Sequence, residues 1–493
     1  MSITLFECPD RLSNLAVEEF GRYVSDLFVQ LATFPESTEI QEIDQHNLEQ
    51  TCKHLEDLIS TTVPSCLANE VTARLLNHLD KTYKKLRWTA YIDWLDNVVH
   101  FLINAILHPS VTKFGKDKDK DHFTIHDELY CDWFPAIGLT DLHKLKHLRI
   151  IRLEDLLSEN DWFGFHVPEN LEEFAICSCN DRVLKCLSSC KELKVLDIRN
   201  SFLVTDTSID SILKFQQLRE LDVAYTSISE QGLTRILGVL AETEVFVHED
   251  CCTKSSDLLT GFCCTHITST QLRLLAEHFP NLTSLSFFEI TSVNLSPLTE
   301  LKHLTNLGLN NLPFSLVKDL LQKIGSQLSQ LSLTYVHGTD LTFINENCPS
   351  LQCLHLYFIL NSADFGFPSG LSLSEYSERF PLLEFHSIQC LVLEVSDYTL
   401  AEYVVSQFVN LKRLYIPNFG GESMFNKIVQ RNLLAHLEMF VCRYGFSVLV
   451  TQFFEHHAII TKFDSIDNKE RHFHVKFGNC SLLFDCGEIF RTR

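Results

Sequence analysis

Glycine is scarce in this chain, 17 of 493 residues, against about 7% in ordinary proteins. Methionine (3) and tryptophan (4) are scarcer still. Few glycines leave few places for left-handed turns or for a backbone that wraps a phosphate. Neither G-x-G-x-x-G nor G-x-x-x-x-G-K-[ST] occurs, which removes the usual nucleotide-binding fingerprints. G-x-S-x-G, H-E-x-x-H and a papain-type cysteine signature are missing as well. No nucleophile, base and orienter can be named together, so an enzyme is not expected, and no cofactor is implied. Long apolar runs are absent too. The most apolar stretch, 90–107, carries Asp93, Asp96, Asn97 and His100 and reads as an amphipathic buried helix, so no membrane association is expected. Positive charge is the minority: 41 Lys and Arg against 64 Asp and Glu give a net charge of −23. That balance disfavours a protein that tracks nucleic-acid phosphates.

What is present is globular: 45% hydrophobic and 21% charged residues, with 37 phenylalanines and 18 cysteines. The first residues, MSITLFECPDRL, lack the basic-then-apolar layout of a secretory signal. The cysteines therefore read as thiols, and the expected location is cytoplasmic or nuclear. From about residue 145 a pattern recurs: apolar, two variable, apolar, one variable, apolar. It runs Leu148–Ile151–Leu153, Leu171–Phe174–Ile176, Leu193–Leu196–Ile198 and Leu218–Leu221–Val223. It resumes at Leu282, Leu304, Leu328 and Leu351, and again at Ile388 and Leu411, with starts 22 to 25 residues apart inside each block. This is the leucine-rich-repeat period with its L-x-x-L-x-L core. Val245 with Val247, and Leu437 with Phe440, read as strands of weaker units; near Phe385 either Leu383 or Ile388 opens the unit.

One such unit cannot bury its apolar face alone, so stacked units share a core. The residue three before the opening leucine is often Phe or Cys (Cys190, Phe215, Phe279, Cys348, Phe408), which accounts for part of the excess of both. The expected fold is an α/β leucine-rich-repeat solenoid, with a curved parallel sheet on the concave face, helices on the convex face and an all-helical N-terminal module. The expected layout is 1–140 as that module, 141–470 as about 12–13 repeats, and 471–493 as a capping hairpin around Gly478–Asn479. The alternation Lys116–Asp121 reads as an exposed loop.

Residues two, four and six after the opening leucine alternate outward onto the concave face. The expected partner-binding set there is Arg152, Asp197, Arg199, Glu220 and Asp222 in the early units and Phe288, His355, Tyr357 and Tyr415 in the later ones. Tyr225, Tyr335 and Phe358 sit one place further on. Aromatics beside polar groups are typical interface anchors. A denser cluster, His248, Cys251, Cys252, Cys263, Cys264 and His266, holds ligand types that zinc favours. Its two adjacent cysteine pairs lack C-x₂-C spacing, so an inserted repeat or loop is the preferred reading and no metal is expected.

The repeat block, about two-thirds of the chain, resembles the cysteine-containing leucine-rich-repeat proteins found among F-box receptors of ubiquitin ligases. Ahead of it, Leu12-Ser13-Asn14-Leu15-Ala16 with Phe20, then Val63-Pro64-Ser65-Cys66-Leu67, resembles the N-terminal layout of zyg/zer-type receptors of cullin–elongin ligases. Ala16 stands where the elongin-binding box has a cysteine. No Leu-Pro opening of an F-box aligns, and no armadillo-like stretch follows the repeats. The resemblance implies a non-catalytic substrate receptor of a cullin-RING ubiquitin ligase. Leu12, Leu15, Ala16 and Phe20 would face an elongin or Skp-type adaptor and its cullin, and the concave face would hold the target protein. The alternative is a general scaffold with no ligase link.

Overall fold

Apolar residues three and four apart build four helices at the N-terminal end: α1 (Pro9–Ala32), α2 (Thr38–Thr62), α3 (Ala68–Leu86) and α4 (Ile92–Ile106). The computed structural model describes residues 9–32, 38–86, 92–115, 145–153, 167–177, 179–248, 251–290, 294–359, 383–395, 398–416, 439–442, 472–477 and 480–485. It divides into two units, Met1–Leu258 and Leu259–Arg493. Among the described residues no helix is long and apolar enough to cross a membrane. The alternation at 116–121 and the turn at 478–479 lie outside the described residues.

In the first unit α1 packs on α3 and α4, and α4 packs on α2 and α3. The buried stripes are Val24, Phe28 and Ala32; Leu48, Cys52, Leu55 and Ile59; Val71, Leu75 and Leu79; and Leu95, Val98, Leu102 and Ile106. Gly21 lets α1 approach α3 closely, because a side chain there would run into the His78 ring. His78 in turn meets Glu18 at 3.2 Å. Asn69 of α3 ties the helices to the sheet: its Oδ1 accepts the Thr112 backbone N–H at 2.9 Å, and its Nδ2 donates to the Thr112 hydroxyl at 2.8 Å. The next residues form β1 (Lys113–Gly115), so the sheet opens there, ahead of the repeat at Leu148.

A parallel ladder follows: β2 (Ile150–Leu153), β3 (Glu173–Ile176), β4 (Val195–Asp197) and β5 (Glu220–Asp222), each in register with the one before. The opening leucines and the third residues after them are buried in these units, and so are the fifth residues Ile176, Ile198 and Val223. The return segments include α5 (Asp181–Leu187), α6 (Ile209–Ile212) and α7 (Glu230–Glu242). Next come β6 (Glu244–His248) and β7 (Cys251–Lys254), antiparallel and in a sheet of their own, and then α8 (Ser255–Leu258). Val245 and Val247 are therefore not a repeat strand.

The second unit supplies that strand instead, as β8 (Gly261–His266), with Leu259, Phe262 and Cys264 buried where leucines are expected. It pairs in parallel with β9 (Ser284–Glu289). The ladder continues through β10 (Asn306–Asn310), β11 (Gln330–Thr334), β12 (Cys353–Ile359), β13 (Cys390–Val395), β14 (Arg413–Ile416) and β15 (Met439–Cys442). Ile388, not Leu383, sits at the opening position of the β13 unit, and Phe440 is the residue of its strand that pairs with Leu414. The return helices are α9 (Ser269–His278), α10 (Phe314–Ile324), α11 (Leu341–Asn347) and α12 (Tyr398–Val405). The ladder ends in an antiparallel hairpin, β16 (His472–Phe477) with β17 (Cys480–Asp485), where β17 lies parallel to β15. Parallel strands at this spacing, alternating with returning helices, make the chain an α/β leucine-rich-repeat solenoid behind an N-terminal helical module.

The repeats share three devices. The residue after the opening position offers one carbonyl to two N–H groups of the next unit: Glu172 accepts from Lys194 at 2.7 Å and Val195 at 3.1 Å, and Thr283 accepts from Thr305 and Asn306 at 2.9 Å each. The residue three before the opening is a buried spine, with Cys190, Phe215, Phe279, Phe385 and Phe408 all under 2% exposed. Phe385 stacks on Phe408 with centroids 4.6 Å apart. Seven residues after the opening the backbone turns left-handed at Asn200 (φ 59°), Tyr225 (55°), Asn311 (57°) and Tyr335 (52°). Asparagine tolerates that region, and tyrosine does so only at a cost of about 1–2 kcal/mol.

Candidate functional site

The outward face of β3–β5 is where the early charged residues collect. Strand register sets Val195 between Glu173 and Glu220, and Asp197 beside Asp222. Arg199 lies over the two aspartates. Its Nε meets the Asp197 carboxylate at 2.9 and 3.0 Å, its Nη2 meets Asp197 Oδ2 at 2.6 Å, and the same Nη2 reaches Asp222 Oδ2 at 3.1 Å. The bidentate fork is the geometry arginine favours with carboxylates. Among these described side chains the face therefore carries four carboxylates and one guanidinium, which contacts Asp197 and Asp222, and it is acidic. Arg152 belongs to β2, but its side chain lies outside the described residues.

Two large apolar side chains stand exposed in the segment that follows β4. Phe202 is 66% exposed and Leu203 is 50% exposed, two and three residues after the left-handed Asn200. They are held by backbone contacts rather than by burial. Leu203 bridges Asn180 of the preceding repeat, and the Phe202 carbonyl accepts the Ser227 hydroxyl at 2.7 Å. Tyr225, half-buried and left-handed, occupies the corresponding turn one repeat later. Sequence reading passed over Phe202 and Leu203. The available signal was a pair of bulky apolar residues beyond the L-x-x-L-x-L positions, where nothing in the core asks for them.

The later face is different. One lateral row runs Ser286, Gly308, Ser332, His355, Val392 and Tyr415, from small to large. His355 and Tyr357 are 8% exposed, Tyr415 is 3% exposed and Val392 is fully buried. His355 meets the Tyr357 ring edge-on at 5.9 Å, and burial lowers its pKa to about 4, so it is neutral. Alternation correctly sends these residues off the core side, but in the folded chain they are packed. His355, Tyr357 and Tyr415 present no open surface to a partner. Phe288 is half-buried, and Tyr335 is 38% exposed with its N–H bonded to the Tyr357 carbonyl at 3.1 Å.

The cysteine-histidine cluster separates. Cys251 and Cys252 belong to the β6–β7 hairpin, whereas Cys263 and Cys264 are neighbours on β8 and point to opposite faces. Cys264 is buried and its thiol donates to the His266 carbonyl at 3.3 Å. His266 itself pairs with Glu289 at 3.1 Å on the surface. Among the described residues no group of three or more His, Cys, Asp or Glu is placed to hold a metal. Burial raises the spine thiols Cys190, to about 11, and Cys348, to about 12, which makes them packing groups. Leu12, Leu15 and Ala16 belong to α1, but their side chains lie outside the described residues. Phe20 is half-buried and stacks on Tyr23 at 6.3 Å, with Tyr23 52% exposed.

No protein-family model and no curated protein matches the chain. Among solved structures, an internalin from Listeria monocytogenes is similar at 16% identity and a TM-score of 0.29, covering 62% of this chain and 71% of that one. So loose a likeness transfers nothing, and the fold rests on the strand pairing and repeat spacing of this chain itself.

Proposed function

We propose that this chain is a non-catalytic protein-interaction protein that captures a partner on the outward face of β3–β5 and its apolar rim. The observation that carries this reading is the exposure of Phe202 and Leu203 a few residues after β4, in the repeat whose strand carries Asp197 of the acidic face. Exposed apolar side chains rimmed by charge mark association surfaces. The net charge of −23 steers basic partners toward it. Arg199 is engaged by Asp197 and Asp222, so it holds the acids in place and offers a partner little positive charge. Phe288 and Tyr335 are further contact residues on the second unit.

The test compares full-length wild type with Phe202→Ser/Leu203→Ser, immobilised side by side. Proteins retained by wild type and lost from the variant, with binding that weakens as salt rises, are the expected outcome. If both retain the same proteins, the rim is not the contact.

The finer reading, a substrate receptor of a cullin-RING ubiquitin ligase, rests on the resemblance at α1. Leu12, Ala16 and Phe20 lie four apart, so one stripe of that helix carries them toward an elongin or Skp-type adaptor. Co-purification of adaptor and cullin with wild type, lost on Leu12→Asp/Leu15→Asp, is the expected result. If wild type brings down neither, the chain is a scaffold without a ligase link.

A further inference from the structure

On the outward face of the second unit, the second position of successive repeats forms a lateral row that includes Gln330, Cys353, Cys390 and Arg413. Cys353 and Cys390 stand 37 residues apart in the chain, yet they are in-register partners on β12 and β13. Neighbouring strands hold their backbones about 4.8 Å apart, inside the ~4.4–6.8 Å between Cα atoms over which two cysteines can be bridged. Both are free thiols, and their side chains are hydrogen-bonded to each other. Arg413 of β14 stands beside Cys390 and adds positive charge to the pair.

The two sulfurs are not equivalent. Cys353 is half-buried and open to small solutes, whereas Cys390 is only 7% exposed. The Cys390 thiol hydrogen bond to Cys353 holds the latter below the usual thiol value. Burial opposes this and the Arg413 charge assists it. The same hydrogen bond, then burial, pushes Cys390 far up. Cys52, buried without such a partner, is instead raised to about 12 by burial, with the Glu56 charge adding to it. A sulfur that is accessible, held below the usual thiol value and in register with a second thiol fits a redox-reactive cysteine with its resolving partner.

We propose that Cys353 and Cys390 form a reversible thiol–disulfide site for hydroperoxides, with Cys353 the attacking sulfur and Cys390 the resolving one. The Cys353 thiolate attacks the outer oxygen of a hydroperoxide. The S–O bond forms, the O–O bond breaks, and the departing alkoxide or hydroxide takes a proton and leaves as alcohol or water. Cys353, oxidised by two electrons, is then a sulfenic acid. The Cys390 sulfur attacks it, the S–S bond forms, and the S–O bond breaks. The Cys390 proton goes with the departing hydroxide as water. Two thiols and one hydroperoxide thus become one disulfide, one alcohol (or water) and one water, and an external dithiol reverses the change.

The test exposes the full-length reduced protein to hydrogen peroxide and follows each cysteine by mass spectrometry. Cys66 and Cys186, both exposed, are the internal controls. The expected result is a Cys353–Cys390 linked peptide that forms at least about tenfold faster than either control oxidises. Dithiothreitol should remove it. In Cys390→Ser, the Cys353 sulfenic acid should persist and be trapped by a 1,3-dione. In Cys353→Ser neither the link nor the trapped adduct should form. Arg413→Gln should slow the reaction several-fold. The proposal is overturned if folded wild type forms no linked peptide, or if Cys353 oxidises no faster than Cys66 and Cys186. The wild-type rate comparison stands whether or not a variant folds.

Discussion

Removing the Asp181 carboxylate tests how the repeats are held to one another. Asp181 opens α5, and its oxygens accept from the next repeat: the Thr205 N–H at 2.8 Å, the Thr205 hydroxyl at 2.7 Å, the Thr207 hydroxyl at 2.5 Å, and the Ser208 hydroxyl. A hydrogen bond to a charged group is worth about 1.5–3 kcal/mol. Thr207 is exposed, so water replaces what its hydroxyl loses, and the Thr205 N–H with the buried Ser208 hydroxyl carries the main cost. With about 0.3–1 kcal/mol more from a negative charge at a helix start, Asp181→Ala is expected to destabilise by about 2–3 kcal/mol. Acid should mimic the mutation. Burial alone would raise the Asp181 carboxyl, but hydrogen bonds from Ser208, Thr205 and Thr207 outweigh it and hold the group below its ordinary value. A carboxyl lowered on folding contributes fully above its unfolded pKa, near ~3.9. That contribution is lost as pH falls through the lower folded value. Urea unfolding at neutral pH should therefore separate wild type from Asp181→Ala, and the gap should close in strong acid. Because solenoids open locally, hydrogen exchange should rise first around Thr205. A gap under about 0.5 kcal/mol at neutral pH, or one that acid does not narrow, would refute the reasoning.

Other outcomes follow from the same frame. Phe408→Ala, which empties a fully buried spine position, should cost about 3–5 kcal/mol in denaturant unfolding. A double-mutant cycle with Phe385→Ala should return a coupling of about 0.5–1.5 kcal/mol for the stack; zero coupling argues against it. Gly325→Ala puts a methyl group 2.9 Å from Cys348 Sγ and nearer still to the Asn347 carbonyl, so a loss of about 1–3 kcal/mol is expected. Tyr335→Asn should relieve the left-handed cost and raise stability by up to about 1 kcal/mol. A fall in melting temperature for that variant would show that the ring packs more than its exposure indicates.

Much of the scaffold was legible in the residues themselves. Leu148 through Leu411 announced strands by spacing, Cys190 and Phe215 announced the spine, and Gly478–Asn479 announced the closing hairpin between β16 and β17. The strand at Phe262 and Cys264 was not legible, because neither residue is a leucine, while Val245 and Val247 imitated the pattern beside it. Within the helical module the bounds of α2 are not legible, because its apolar residues are thinly spread among charged ones: Leu48, Cys52, Leu55 and Ile59 suffice to bury one face.

By itself, then, the sequence determined the class of fold, the period and which side chains turn toward the core. A two-residue alternation within strands and a unit of about 23 residues leave no other way to bury so many leucines. Only the tertiary structure decided which outward residues remain open. Alternation says which side of a strand a residue takes and nothing about what covers that side. So Tyr357 and Tyr415 are packed while Phe202 and Leu203 stand in solvent. Strand register decided the rest. It set Arg199 against Asp197 and Asp222, and it brought Cys353 against Cys390, a pairing that no spacing along the chain announces.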